Sequence, residues 1–426
     1  MSNSRLASAK ILQKILEEKI FFGDLKKQIS EKDLPFCNML ILTVLRKLVG
    51  LKQVLNGFLS KKIPHKHRLA EYLLLSAMAE ILFMETPEYA VINETVQNIR
   101  RTCDKFLGGL ANAVLRKICA QKDELRAKVN AVSPLPAEFA KIIDDYSADE
   151  KALIAQSVDF IAPLDLTVKG NPREWAEKMH ADLLPSGSLR LFNPPKIQQL
   201  PFYNSGEWWV QDAASALPAK VMGDITGKKV IDLCAAPGGK TAQLAAAGAE
   251  VTALDISATR LETLKQNMAR LNFNNVRTIA IDALEYLQKA EEQYEAILLD
   301  APCSATGTFR RHPEILHIKS PKDVEEQAAL QAKLLAECAR ILKVGGILVY
   351  SVCSISRLEG EYQIEKFLKQ NRQFKQVAIS ADKISAYGSW ENNLLTANGA
   401  IRTLPYFQSQ QKGMDSFFIC KLQRII

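Results

Sequence analysis

Two cysteines stand where chemistry could be done. Cys303 lies in DAPCSATG (300–307) and Cys353 in YSVCSI (350–355), and each segment directly follows an apolar run of strand length. A residue just past the carboxyl end of a strand faces the edge at which open α/β sheets hold their ligands. A pair of thiols at that edge suits one demanding reaction. Cytosine C5 is too weak a nucleophile to accept a methyl group unaided, but a thiolate added at C6 makes the ring an enamine whose C5 can attack a sulfonium methyl. A base must then remove the C5 proton before the thiolate can leave, so one cysteine can attack and the other can release. A free thiol with a pKa of ~8.5 is little ionised at neutral pH, so a nearby cation is expected, and Lys240 is the candidate. Asp300 is expected to hydrogen-bond or protonate the ring edge at N3. Cys37, Cys103, Cys119, Cys338 and Cys420 read as small buried apolar residues.

The methyl donor needs its own site. After the run at 230–233 come Cys234, Ala235, Ala236, Pro237, Gly238, Gly239 and Lys240, where the paired glycines allow a tight turn and close backbone approach to a ligand before a helix begins. Cys234, directly under the turn, reads as a small packing residue. The spacing is not G-x-G-x-x-G, and the turn is read as lacking the G-K-[ST] ending of a phosphate-binding Walker loop and as placing Pro237 before the glycines. Asp255, Asp282 and Asp300 end the next three strand-like runs. Any one of them could merely cap a following helix. Together with the turn they describe a pocket for S-adenosyl-L-methionine: ribose on Asp255, the adenine edge near Asp282, and the amino-acid tail at the turn.

These residues need a scaffold, and the 426-residue chain is long enough for two or three domains. The composition, 47% hydrophobic and 24% charged, is that of an ordinary globular protein. Residues 1–132 carry apolar residues at helical spacing, as at 69–84 and 89–103, and predict an all-helical domain. Pro35 and Pro64 precede helical runs, Thr86-Pro87 separates two more, and Gly108-Gly109 predicts an interruption. Residues 133–206 mix helix with short strands such as LDLTV and LRLF, predicting a small α+β connecting subdomain. Over 207–426, KVIDL, EVTAL, VRTIAI, EAILL and GILVYS alternate with helical segments, predicting an α/β fold with a doubly wound parallel sheet.

The set DLCAAPGGKT, LDAPCSATG, RRHPEI and YSVCSI, with VQDAASALPA and the phenylalanines at 417–418, resembles the RsmB (Sun, Fmu) ribosomal RNA cytosine-C5 methyltransferases. The resemblance covers residues 208–426, and INETV (92–96) with ANAVLRK (111–117) makes the helical segment similar to the RNA-binding NusB fold. It implies a Rossmann-like methyltransferase domain behind an all-α NusB-like domain. It also implies Cys353 as nucleophile, Cys303 as the residue that releases product, and S-adenosylmethionine bound by residues 234–240 with Asp255, Asp282 and Asp300. One departure is visible: Val352 stands where the family usually has threonine, which keeps the β-branched shape and removes the hydroxyl and any hydrogen bond it makes.

DNA cytosine methyltransferases use the cysteine of Pro-Cys as nucleophile, which would reverse the two roles; the second cysteine and the helical domain favour RNA. A non-catalytic RNA-binding assembly factor and a nucleotide-dependent oxidoreductase are the competing classes, disfavoured by the complete set of catalytic side chains and by the glycine spacing. The net charge of +8 suits an RNA partner. Arg310-Arg311-His312 and Lys61-Lys62 are candidate phosphate contacts. The expected RNA is 16S ribosomal RNA, free or in an early small-subunit particle, with transfer RNA second. No metal site is expected, since the cysteines form no C-x-x-C and the histidines lack ligand spacing. No stretch reads as an uncharged membrane span, and a monomer in the cytoplasm, its thiols free, is the expectation.

Overall fold

A computed structural model describes residues 4–426, which divide into two compact units. The first comprises residues 4–144 with Arg311–Ser320. Its helices include Ser4–Glu18, Leu34–Phe58, Arg68–Phe83, Glu88–Thr102, Lys105–Ala120 and Lys122–Ala131. Arg68–Phe83 is apolar nearly all round, with Leu73, Leu74, Leu75, Met78, Ile81 and Leu82 all buried, so it forms the centre of the bundle. Its one buried acid, Glu80, is satisfied by the Arg5 guanidinium at 2.5 and 3.0 Å. The helix Leu34–Phe58 is long and apolar enough to cross a membrane by length and composition, but it carries Arg46, Lys47 and Lys52 and so is not an uncharged span. Leu40, Ile41, Val44, Leu45 and Leu51 bury its apolar face in the same core.

Gly108 and Gly109 do not interrupt anything: both lie within Lys105–Ala120, whose start is capped by Asp104 accepting from the Phe106 amide at 2.7 Å. A Cβ at Gly108 would lie 2.4 Å from Cγ of Arg100, so this glycine serves close approach of two helices. The 311–320 segment, taken from the middle of the α/β sequence, also belongs here. Ile318 joins the helical core, and the His317 ring nitrogen Nε2 meets the Leu45 carbonyl at 2.7 Å. Burial lowers the His317 pKa to about 4, so at neutral pH the ring is uncharged and Nε2–H donates.

The second unit, Asp145–Arg310 with Pro321–Ile426, holds two sheets. The smaller is antiparallel, formed by β1 (Leu164–Val168), β2 (Asp182–Leu183), β3 (Leu189–Leu191) and β4 (Trp208–Val210) in the order β2-β3-β1-β4. Its fourth strand lies beyond the expected limit at 206. The larger sheet contains β5 (Lys229–Leu233), β6 (Glu250–Asp255), β7 (Val276–Ala280), β8 (Tyr294–Asp300) and β9 (Leu342–Val352), all parallel. These correspond to the five runs read from the sequence. β10 (Phe374–Gln376), β11 (Ile401–Arg402) and β12 (Phe418–Arg424) complete it, β12 antiparallel to β9.

The order β10-β12-β9-β8-β5-β6-β7 reverses direction between β5 and β8. At such a switch point the following connections leave to opposite sides, opening a crevice outside the carboxyl ends of the strands. Ile231, Leu233, Ile297, Leu299, Leu348 and Tyr350 bury the sheet centre and fix those strand ends in space.

Candidate active site

The turn after β5 is set by its backbone. Cys234 takes a left-handed φ of 63°, the Ala235 amide donates to Leu254 O at 2.8 Å, and the Gly238 amide closes on Ala235 O at 2.9 Å. Gly238 has φ 102°, and a Cβ there would lie 2.8 Å from Cγ of Leu264, so conformation and space both require glycine. The helix Gly239–Ala246 then begins. Gly239-Lys240-Thr241 does reproduce the ending of a Walker loop, but Cys234 occupies the place of that loop's first glycine. The Thr241 hydroxyl is also spent on Asp232 at 2.6 Å.

Asp255 ends β6 with only 3% exposure, and it is not a helix cap; Ser257 caps Ala258–Arg270 by accepting from the Arg260 amide. Instead Asp255 accepts from the Ala236 amide at 3.1 Å and the Ser257 amide at 2.9 Å, joining β6 to the turn. Arg260 pairs with it at 3.5 Å. Asp282 is exposed and does cap a helix, Ala283–Lys289, with Oδ1 accepting from the Glu285 amide. Both readings of Asp282 are therefore compatible, since one carboxylate oxygen does the capping. A glycine turn, a helix start and acids at the ends of β6, β7 and β8 make a donor set that fits a nucleoside bearing a cationic amino-acid tail.

Across the switch point Lys240 Nζ bonds Asp300 Oδ2 at 2.7 Å and Ser215 Oγ at 3.2 Å, and lies 5.2 Å from the centre of the Phe417 ring. Ser351 Oγ donates to Asp300 Oδ1 at 2.8 Å. The ammonium expected beside a thiol is thus engaged with the carboxylate expected at the base. The thiols themselves meet: Cys303 Sγ lies 3.2 Å from Cys353 Sγ. Their loops interlock, with the Gly307 amide donating to Cys353 O at 3.0 Å. A Cβ at Gly307 would lie 2.1 Å from Ser416 O. The contact with Cys353, burial and the nearby Glu359 charge push the Cys303 thiol well above its usual range. Burial likewise raises Cys234 to about 12, consistent with a packing role.

Other expectations change. Arg310 is fully buried, donating to Lys412 O at 2.6 Å and pairing with Asp415 at 3.3 Å and Asp212 at 3.4 Å, so it cannot meet phosphate. Arg311, Lys61 and Lys62 are exposed. Val352 is buried in the α/β core opposite Phe418, where a methyl packs in place of a hydroxyl. Gln211 of VQDAASALPA accepts from Thr167 and Trp209 and donates to Gln243, linking the small sheet to the helix after the turn. Glu359 was not foreseen. It is fully buried and bonds the residues that follow both cysteines, Ser304 and Ser354. In the sequence it is an ordinary acid two residues ahead of the helix Glu361–Gln370.

Residues 221–423 match the model of the 16S rRNA methyltransferase RsmB/F family, and residues 2–120 that of the NusB family. Ribosomal RNA small subunit methyltransferase B of Erwinia tasmaniensis is 30% identical, covering 87% of this chain and 91% of that protein. The Pasteurella multocida protein of the same name is 28% identical over 100% of this chain and 96% of its own length. The fold is shared with the crystal structure of PH0851, at TM-score 0.76, 22% identity and 99% coverage of both chains. Matched along nearly its whole length, from the helical unit to the two-cysteine sheet edge, the chain belongs to the RsmB/F family of S-adenosylmethionine-dependent rRNA methyltransferases.

Proposed function

We propose that this protein methylates C5 of a cytosine in 16S rRNA, with Cys353 as nucleophile and Cys303 as the base that releases the product. The observation that carries this reading is the pair of sulfurs 3.2 Å apart at the ends of the neighbouring strands β8 and β9. The Cys353 thiolate forms a bond to C6 and drives an electron pair onto C5. C5 takes the methyl group that S-adenosylmethionine supplies, the sulfonium sulfur keeping the pair of the broken bond. Cys303 removes the C5 proton; the pair of that C–H bond restores C5=C6 and expels the Cys353 thiolate.

The environment of Cys303 supports this order. The leading cause of its raised pKa is Cys353 itself. Once the Cys353 sulfur is spent in the bond to C6 it no longer raises the Cys303 pKa, while burial and Glu359 still do; Cys303 acts as the base after its own proton has passed to water. The Lys240–Asp300 pair serves the ring edge at N3, Asp300 as the hydrogen-bonding group and Lys240 as its charge partner. The turn 234–240, Asp255 and Asp282 hold the cofactor, with Asp255 on the ribose.

RNA is held by the NusB-like helical segment 1–132 and the connecting segment 133–206, while residues 207–426 supply the chemistry; the surplus of 8 positive charges supports a polyanionic partner. The protein acts as a monomer in the cytoplasm, on 16S rRNA free or in an early small-subunit particle. Mapping 5-methylcytosine across total RNA in cells with and without the protein tests this. Loss of the mark at one 16S cytosine is expected. Loss confined to transfer RNA would replace the substrate, and an unchanged map would end the reading.

A further inference from the structure

We propose that Glu359 is a positioning residue, whose buried carboxylate locks the loop carrying Cys303 to the loop carrying Cys353 and so sets the approach of their sulfurs. The proposal rests on the two-cysteine reading above and names what holds that pair in register.

The carboxylate reaches both loops at once. Oε1 accepts from the Ser304 amide at 2.8 Å and from Gln331 Nε2 at 3.0 Å. Oε2 accepts from the hydroxyls of Ser304 and Ser354. Ser304 follows Cys303, and Ser354 follows Cys353. Thr306 Oγ1 closes the arrangement, 2.9 Å from Ser304 Oγ and 3.0 Å from Ser354 Oγ. On the other side of Cys303, Gln331 Nε2 also donates to Pro302 O at 2.9 Å. Tyr350, three residues before Cys353, donates to Glu359 O at 2.7 Å and stands 3.0 Å from Gln331 Oε1. Both neighbours of Cys303 and one neighbour of Cys353 are thus tied to a single frame centred on Glu359.

Each of these hydrogen bonds comes from a neutral group, yet Glu359 has no exposed surface. Burying a carboxylate on neutral donors is costly, and a core position needing only bulk would be met by an apolar side chain. What the carboxylate offers is two oxygens with about four acceptor directions, enough to serve amide and hydroxyl donors from two loops together. Sulfur chemistry at a 3.2 Å contact depends on angstrom-scale placement, which such a bridge can supply.

The thiols report their own alignment. Cys303 and Cys353 can be oxidised to a disulfide by glutathione disulfide, the two sulfurs bonding while two glutathione thiols form with the two protons released. The equilibrium constant of that exchange measures how well the sulfurs are presented to one another, without methyl transfer. In the full-length protein, with the Cys303–Cys353 crosslink quantified by peptide mass mapping, Glu359→Ala is expected to lower this constant and single-turnover methylation together, by roughly 10- to 100-fold. Cofactor affinity should be unchanged. Glu359→Gln should recover most of both, since its oxygen can accept from Ser304 and Gln331 while its amide donates to hydroxyls that turn to accept. Should Glu359→Ala fail to fold, Ser354→Ala removes one tie and should lower the constant by a smaller factor.

A folded Glu359→Ala protein with the parental disulfide equilibrium would overturn the proposal, as would a Glu359→Gln protein no better than the alanine variant or an unaffected Ser354→Ala protein. Failure of the covalent mechanism would appear separately, as absence of any RNA adduct from Cys303→Ala in the parental background, and leaves the glutathione measurement to decide Glu359.

Discussion

The sulfur of Cys303 lies 3.2 Å from that of Cys353 across 50 residues of sequence, each at the end of one of two adjacent parallel strands. The pairing of Asp300 with Ser351 in register places the two loops side by side, so the contact is a property of the sheet. The contact with Cys353, burial and the nearby Glu359 charge raise the pKa of the Cys303 thiol.

Replacing each thiol should separate their roles. Cys303→Ala should still attack and methylate but fail to release, leaving a protein–RNA band on a denaturing gel that needs S-adenosylmethionine and vanishes when Cys353 is also changed. Cys353→Ala should give neither adduct nor product. An adduct from Cys353→Ala and none from Cys303→Ala would exchange the assignments.

Asp255 should matter to the cofactor and not to RNA. Losing its charged hydrogen bonds costs roughly 1.5–3 kcal/mol, about 10- to 150-fold in cofactor affinity for Asp255→Ala. Since Asp255 also holds the Ala236 amide, Asp255→Asn, which keeps one acceptor oxygen, should lose less. Calorimetry with cofactor and filter binding with RNA check both; equal cofactor affinity in parent and alanine variant would remove Asp255 from the site.

Asp232, inside β5, gives a pH signature. It is fully buried, only Oδ2 is bonded (to Thr241), and burial raises its pKa to about 7. The folded state therefore binds this proton more tightly than the unfolded chain, whose carboxyl titrates near 3.8. Its contribution is fully present below that lower value and is lost as pH rises to about 7. Asp232→Asn should flatten this part of the stability profile and be more stable than the parent at pH 8. Urea unfolding between pH 4 and 8 measures it, and an unchanged slope would exclude Asp232 as the source.

Arg310 should behave as part of the fold. Removing one partner of a buried ion pair costs roughly 3–5 kcal/mol, so Arg310→Met should sharply lower the denaturation midpoint. The dependence of RNA affinity on salt should keep its slope in the folded variant. By contrast, neutralising exposed Lys61 and Lys62 should reduce that slope by roughly 0.7 for each single-strand phosphate that is no longer neutralised. A reduced slope for Arg310→Met would return it to the RNA surface.

The sequence by itself determined the parts whose cause is local. Four apolar runs became β5, β6, β8 and β9 because their side chains fill the faces of a covered parallel sheet, and the fifth became the half-exposed edge strand β7. The glycine turn was legible because Gly238 needs its left-handed backbone wherever the rest of the chain lies. The positions of Cys303 and Cys353 at strand ends were legible for the same reason. Tertiary structure decided the rest, because it depends on which distant groups meet. Gly108 looked like a breaker until Arg100 packed against it. Arg310 and Arg311 are adjacent in sequence, yet one is buried on Asp212 and Asp415 and the other is exposed, since burial is set by what packs against a side chain. Lys240 found Asp300 at a distance of 60 residues. Glu359 resembled any acid before a helix, and its burial became visible only with Ser304 arriving from 55 residues away; hydrogen-bond partners that remote leave no periodicity for a sequence to display.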